Sequence, residues 1–196
     1  MLDLQWLVIL LAAAFTNNIT LFRFLGLCPF VACSRRMDTA VGLGLAVTFV
    51  TTCTTALNNL LHHYVLVPLN LQHLELLLFI AVIAAFVQLI EMVVERFLPR
   101  LYYSLGIFLP LITVNCAILG TSLFMIMDNL TFTRSIAYGL GSGAGWMLAI
   151  LLMAGLRERL DERHVPAPFR GVPLALILTG VLAMVLRRFV EMGMSG

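Results

Sequence analysis

Leu105-Gly-Ile-Phe-Leu-Pro-Leu-Ile-Thr-Val-Asn-Cys-Ala-Ile-Leu-Gly120 is apolar enough to sit in a membrane, yet it is not built as an undisturbed helix. Gly106, Pro110, Asn115 and Gly120 each disfavour a continuous helical backbone. Cys116 lies within the stretch, beside the amide side chain of Asn115. A weaker counterpart near the N-terminus, Asn17-Asn-Ile-Thr-Leu-Phe-Arg-Phe-Leu-Gly-Leu-Cys-Pro-Phe30, carries Cys28. Each half of the chain thus holds an interrupted apolar segment with a cysteine, and the fold must accommodate both interruptions.

Composition says where such segments reside. The 196 residues are 61% hydrophobic and 11% charged, with a mean hydropathy of +1.02. Soluble domains carry about 25% charged residues, so too few charges remain here to cover a soluble surface. The expectation is an all-α integral membrane protein in contact with the lipid bilayer. A net charge of +2 from scattered arginines gives no basic patch for nucleic acid. The N-terminus lacks both the positive n-region and the small-residue cleavage site of a signal peptide, so the first apolar run is expected to stay in the membrane. Four cysteines (28, 33, 53 and 116) in a chain without a secreted soluble domain do not suggest a disulfide framework.

A spanning helix needs about 20 mostly apolar residues, and six stretches approach that length: 4–25, 41–61, 74–94, 101–127, 135–156 and 172–185. The first breaks at Thr16-Asn17-Asn18 and the fourth around Pro110 and Asn115. The second is rich in threonine, and the fifth carries Gly139, Gly141, Gly143 and Gly145. On a helix, positions 139 and 143 share one face and 141 and 145 another, giving two small-residue pairs for close packing. Three spans per half imply two inverted three-helix halves, about 1–98 and 99–196, in a single membrane domain. Thr16-Asn17-Asn18 against Thr113-Val114-Asn115 and Leu25-Gly26 against Leu105-Gly106 are alternative registers for such a repeat.

Eight of the twelve arginines (35, 36, 96, 100, 157, 159, 163 and 170) follow segments one, three and five. The opposite links hold only Arg134, Arg187 and Arg188. The positive-inside rule then places the odd links in the cytoplasm and both termini on the outer side.

Several residues compete as sites. A lone intramembrane cysteine is usually a small buried hydrophobe, but irregular backbone at membrane depth belongs where it is buried in protein or lines a cavity. Cys116 and Cys28 both lie at such irregularities, and Pro29 biases Cys28 toward an extended conformation. Thiolate iron–sulfur and zinc sites take four ligands, so either Cys33 and Cys53 or a second chain must complete one. Glu91 and Glu95 could form an ion or proton path, or pair with Arg96 or Arg100 near the cytoplasmic end. Arg23 is expected to snorkel, and His62, His63 and His73 to occupy the outer link.

Phe24-Leu-Gly-Leu-Cys-Pro-Phe30, Leu105–Gly120, and Arg157-Glu-Arg-Leu with Val165-Pro-Ala-Pro-Phe-Arg-Gly171 resemble the RnfA/NqrE family over nearly the whole chain. These are six-helix membrane subunits of the Rnf electron-transport complex and of the sodium-pumping NADH:quinone reductase. Leu27-Cys-Pro-Phe30 and Val165–Gly171 lean toward the Rnf branch, whereas Tyr138–Ala149 looks more like NqrE. The resemblance implies a homologous partner of opposite topology, RnfE-like or NqrD-like, with each chain giving two cysteines to one [2Fe–2S] cluster. Carried over, Cys28 and Cys116 are the ligands, and Cys33 and Cys53 match no ligand position. It also implies other subunits carrying flavins and iron–sulfur clusters, residence in the bacterial inner membrane with both termini periplasmic, and electron relay across it coupled to sodium or proton movement. The chain has no nucleotide, flavin or quinone motif, so any enzymatic activity belongs to the complex. Rival readings are an ion-conducting transporter resting on Glu91, Asn18 or Asn115, and a purely structural scaffold.

Overall fold

The computed structural model describes residues 8–16, 18–69, 72–97, 109–160 and 166–194. Among these residues all regular structure is helical. The first segment is built from α1 (8–16, ending in the π-helical turn Ala12–Thr16), α2 (Ile19–Arg23) and α3 (Leu27–Cys33). Next come α4 (Met37–Leu61) and α5 (Glu75–Phe97). The fourth segment is divided into α6 (Leu109–Thr113) and α7 (Cys116–Met127). The long helix α8 (Phe132–Arg159) and α9 (Val172–Met194) follow. Three helical stretches, Met37–Leu66, Glu75–Val93 and Phe132–Arg159, are long and apolar enough to cross a membrane, and shorter apolar helices accompany them. The all-helical membrane architecture read from composition is therefore the one observed. Gly106, Asn17 and Arg100 lie outside the described residues.

Helix α8 is the centre of the bundle because its glycines let two neighbours approach at once. A Cβ added at Gly139 or Gly143 would lie 3.2 Å or 2.7 Å from the backbone of Thr52 or Thr48 on α4. At Gly141 or Gly145 it would lie 2.6 Å or 2.8 Å from the carbonyl oxygens of Leu10 or Ala14 on α1. The two glycine pairs thus serve two different partners, as their spacing requires. On α4 the threonines do not carry free hydroxyls into this contact. Thr48, Thr51, Thr52, Thr54 and Thr55 each donate to a carbonyl four residues back, at 2.6–2.8 Å, which removes the cost of burying them in apolar surroundings.

Tertiary hydrogen bonds tie the links together at opposite ends of the bundle. Arg157 donates to the Val31 carbonyl (3.1 Å) and to Ser34 Oγ (2.9 Å), and the Met37 N–H donates to Glu158. Asn59 donates to the Leu130 carbonyl and to Ser135 Oγ. The links after segments one and five therefore share one end, and those after two and four share the other. This is the alternation that the arginine distribution demands.

The break between α1 and α2 is held by Asn18. Its Oδ1 accepts from the Thr20 and Leu21 N–H groups, while Nδ2 donates to the Ala14 and Gly145 carbonyls. Asn18→Ala should lower stability by about 2–3 kcal/mol, combining a lost N-cap with two lost intramembrane hydrogen bonds. Asn18→Ser, which keeps a cap acceptor, should lose less. Thermal unfolding in detergent would rank the two variants.

Candidate functional site

Among the described residues the fourth segment breaks at Asn115. Pro110 lies within Leu109–Thr113, and residues 101–108 before it lie outside the described residues. Asn115 leaves the helical conformation (φ −73, ψ 110), and its Oδ1 accepts the Ala117 N–H at 3.0 Å. That cap starts α7 with Cys116 as the first residue, and the Asn115 carbonyl accepts from the Ile118 and Leu119 N–H groups. Asn115 and Asn18 hold their breaks the same way, each accepting from the N–H two residues ahead. Locally this matches the Thr16-Asn17-Asn18 register; Leu105-Gly106, on which the other register depends, lies outside the described residues.

The first segment breaks a second time. Helix α2 ends at Phe24 in the left-handed region (φ 54), and α3 starts from Gly26, also left-handed (φ 80). A bulky residue at positive φ is uncommon and persists only where its surroundings over-determine it. Gly26 meets the other broken segment. The Gly26 N–H donates to Cys116 Sγ at 2.8 Å. A Cβ on Gly26 would sit 2.7 Å from Ala117 Cβ, 2.9 Å from Asn115 Oδ1 and 2.9 Å from Trp146 Nε1. Trp146 in turn donates its indole N–H to the Gly26 carbonyl at 3.4 Å.

Cys28 follows as the second residue of α3, exposed, whereas Cys116 is half-buried. Gly26 and Cys28 are separated by a backbone path of at most about 8 Å. The residue that touches one thiol is therefore a short step from the residue that carries the other. Trp146 lies fourteen residues after Phe132 and thirteen before Arg159, so the meeting point is level with the middle of α8. One enclosed polar atom at this point lacks a partner among the described residues: Asn115 Nδ2 makes no hydrogen bond to them. Its orientation is fixed, because Oδ1 must face the Ala117 N–H.

The remaining candidates separate from this point. Cys33 is buried in the apolar core with Phe30, and Cys53 is half-buried on α4. Among the described residues no three His, Cys, Asp or Glu side chains form a metal-holding group, so Cys33 and Cys53 do not complete a set with Cys28 and Cys116. Glu91 is half-buried and Glu95 exposed. Among the described residues neither forms the expected ion pair with Arg96, because α5 is a peripheral helix whose polar end has room to extend outward. Arg23 does more than snorkel: its guanidinium stacks 4.5 Å above the Phe124 ring, a cation–π contact. His62 and His63 lie in the π-helical turn His62–Leu66 beyond α4 and line a cavity with Asn59 and Asn129. His73 is exposed in the turn Gln72–Leu74. Sequence reasoning passed over Trp146. Its signal was a large aromatic with a polar N–H inside the glycine-rich run of the fifth segment.

The chain is similar to known proteins over nearly its whole length. The family described as Rnf-Nqr subunit, membrane protein, matches residues 6–194. A protein of Azoarcus sp. (strain BH72), named as a subunit of an ion-translocating oxidoreductase complex, is 48% identical over 185 residues, covering 94% of this chain and 96% of its own length. Proteins with the same designation from Aeromonas salmonicida (strain A449) and Vibrio cholerae serotype O1 (strain ATCC 39315 / El Tor Inaba N16961) are 48% and 45% identical, with the same coverage of both chains.

Proposed function

The chain belongs to the Rnf-Nqr family of membrane subunits, and from that premise we propose that it is an electron-transfer subunit of an Rnf-type ion-translocating oxidoreductase complex. Cys28 and Cys116 are its two ligands to a [2Fe–2S] cluster, and a homologous six-helix subunit of opposite topology supplies the other two. The observation that carries this reading is the 2.8 Å bond from Gly26 N–H to Cys116 Sγ, which joins the two cysteine-bearing breaks at mid-depth.

The donor set fits half of such a site. A [2Fe–2S] cluster takes four thiolates; Cys116 already receives an N–H donor suited to a thiolate, and Cys28 is exposed toward any neighbour. Asn115 Nδ2 adds an enclosed amide N–H without a partner among the described residues. When bound, the cluster supplies a one-electron carrier that divides the roughly 30 Å hydrocarbon layer into two shorter steps. The chain's own residues hold the thiols, aim the Gly26 N–H at the Cys116 sulfur and, through Ala117 and Trp146, fill the space behind it against water. Flavin- and iron–sulfur-bearing subunits complete the route on either side. The arginine-rich end faces the cytoplasm of a bacterial inner membrane, leaving both termini periplasmic. The designation of the relatives favours the Rnf branch over the NqrE-like alternative.

The transporter reading is weakened by the same geometry. Asn18 and Asn115 spend their carbonyl oxygens on backbone N–H groups, and so do not offer them to a cation. Purifying the chain together with its oppositely inserted homologue should yield iron in the amount of one cluster per pair and a [2Fe–2S] EPR signal on reduction. An intact pair with neither iron nor signal would overturn the assignment.

A further inference from the structure

We infer that Trp146 is a positioning residue for the cysteine site: its indole N–H holds the Gly26 turn so that the Gly26 N–H stays aimed at Cys116 Sγ. The inference rests on the ligand reading above and assigns a role to a residue on a third segment.

Both polar groups of Gly26 are engaged, the N–H by Cys116 Sγ and the carbonyl by Trp146 Nε1. Fixing both ends of a glycine constrains the one residue in the turn with the greatest conformational freedom. Because α3 starts directly after Gly26, the same anchor sets where Cys28 leaves the turn. Trp146 suits the task because it is 1% exposed and rides on α8, which glycine contacts press against α1 on one face and α4 on the other. A buried indole N–H needs an acceptor, and this one is spent on the turn that bears on the thiol. An N–H···S bond stabilises the reduced, more negative state of an iron–sulfur centre and thereby raises its potential. Slackening the turn should lower it.

Trp146→Phe keeps a large ring and removes only the donor. In the assembled complex this variant should keep its iron, while an EPR-monitored redox titration finds the intramembrane [2Fe–2S] signal at a lower midpoint potential than in the unsubstituted complex. Full iron with an unchanged or raised potential would overturn the inference and leave the ligand assignment standing. If Trp146→Phe loses the cluster, Trp146→His decides, since it restores a ring N–H. Iron recovered in the histidine variant supports positioning through the donor, and equal loss in both overturns it. Absence of the cluster from the unsubstituted complex would instead sink the ligand reading, and this inference with it.

Discussion

Cys116→Ser is expected to strip the assembled complex of its intramembrane iron, and Cys28→Ser to do the same. A serine hydroxyl is far less acidic than a thiol and is a much poorer ligand for cluster iron than a thiolate. Supporting residues around metal centres typically cost 10–100-fold when removed, so loss of a direct ligand should lower transmembrane electron transfer by more than about 100-fold. The two variants should still insert and assemble, because neither sulfur holds the bundle together. Cys116 only accepts one N–H bond, and Cys28 is exposed. Cys33→Ser and Cys53→Ser serve as controls that retain the cluster, although Cys33, at 2% exposure, should lower stability. Iron analysis and EPR of the purified complexes check all four. Retention of full iron in both Cys28 and Cys116 variants would rule out this site.

The second large effect is expected at Gly26. Gly26→Ala meets two separate costs. Its φ of 80 lies in the left-handed region, which costs an alanine roughly 1–2 kcal/mol. The added methyl would also approach Ala117, Asn115 and Trp146 to within 2.7–2.9 Å, and such overpacking costs about 1–3 kcal/mol. Together these predict a loss of about 2–5 kcal/mol and, because the displaced neighbours are the ones around Cys116, a loss of cluster occupancy as well. Gly180→Ala is the matched control. It has no atom within 4 Å of its added Cβ and sits inside α9, where alanine is favoured over glycine by roughly 1 kcal/mol. Thermal unfolding in detergent should therefore move in opposite directions for the two variants. A neutral Gly26→Ala would contradict the geometry of the turn.

Much of this was legible in the residues because membranes punish backbone irregularity. Asn18 and Asn115 announced their breaks, since an amide at membrane depth has to be spent on something. The glycine pairs of the fifth segment were readable through helical spacing alone. Pro110 marks either a break or a helix start, and residues 101–108, which decide between them, lie outside the described residues. The pairing of Glu91 or Glu95 with Arg96 does not appear among the described residues, since neighbouring charges at the end of a peripheral helix gain little from meeting in a polar interface. Arg100, the other expected partner, lies outside them. Trp146 stayed hidden for a topological reason. Its contact with Gly26 spans 120 residues, and nothing local to either position records which glycine a distant indole will face.

The glycine faces of α8 also bear on speed. Electron transfer slows when charge movement forces the surroundings to rearrange, so a fast relay site needs neighbours that are already in place. Around Gly139, Gly141, Gly143 and Gly145 the contacts are backbone against backbone or against short side chains, leaving few rotamers to reset as charge arrives. On the proposed assignment, such packing of the helix that carries Trp146 favours a low reorganisation energy at the cysteine site. Shape changes that move ions are accordingly better sought in the peripheral helices, such as α5, than beside Cys116.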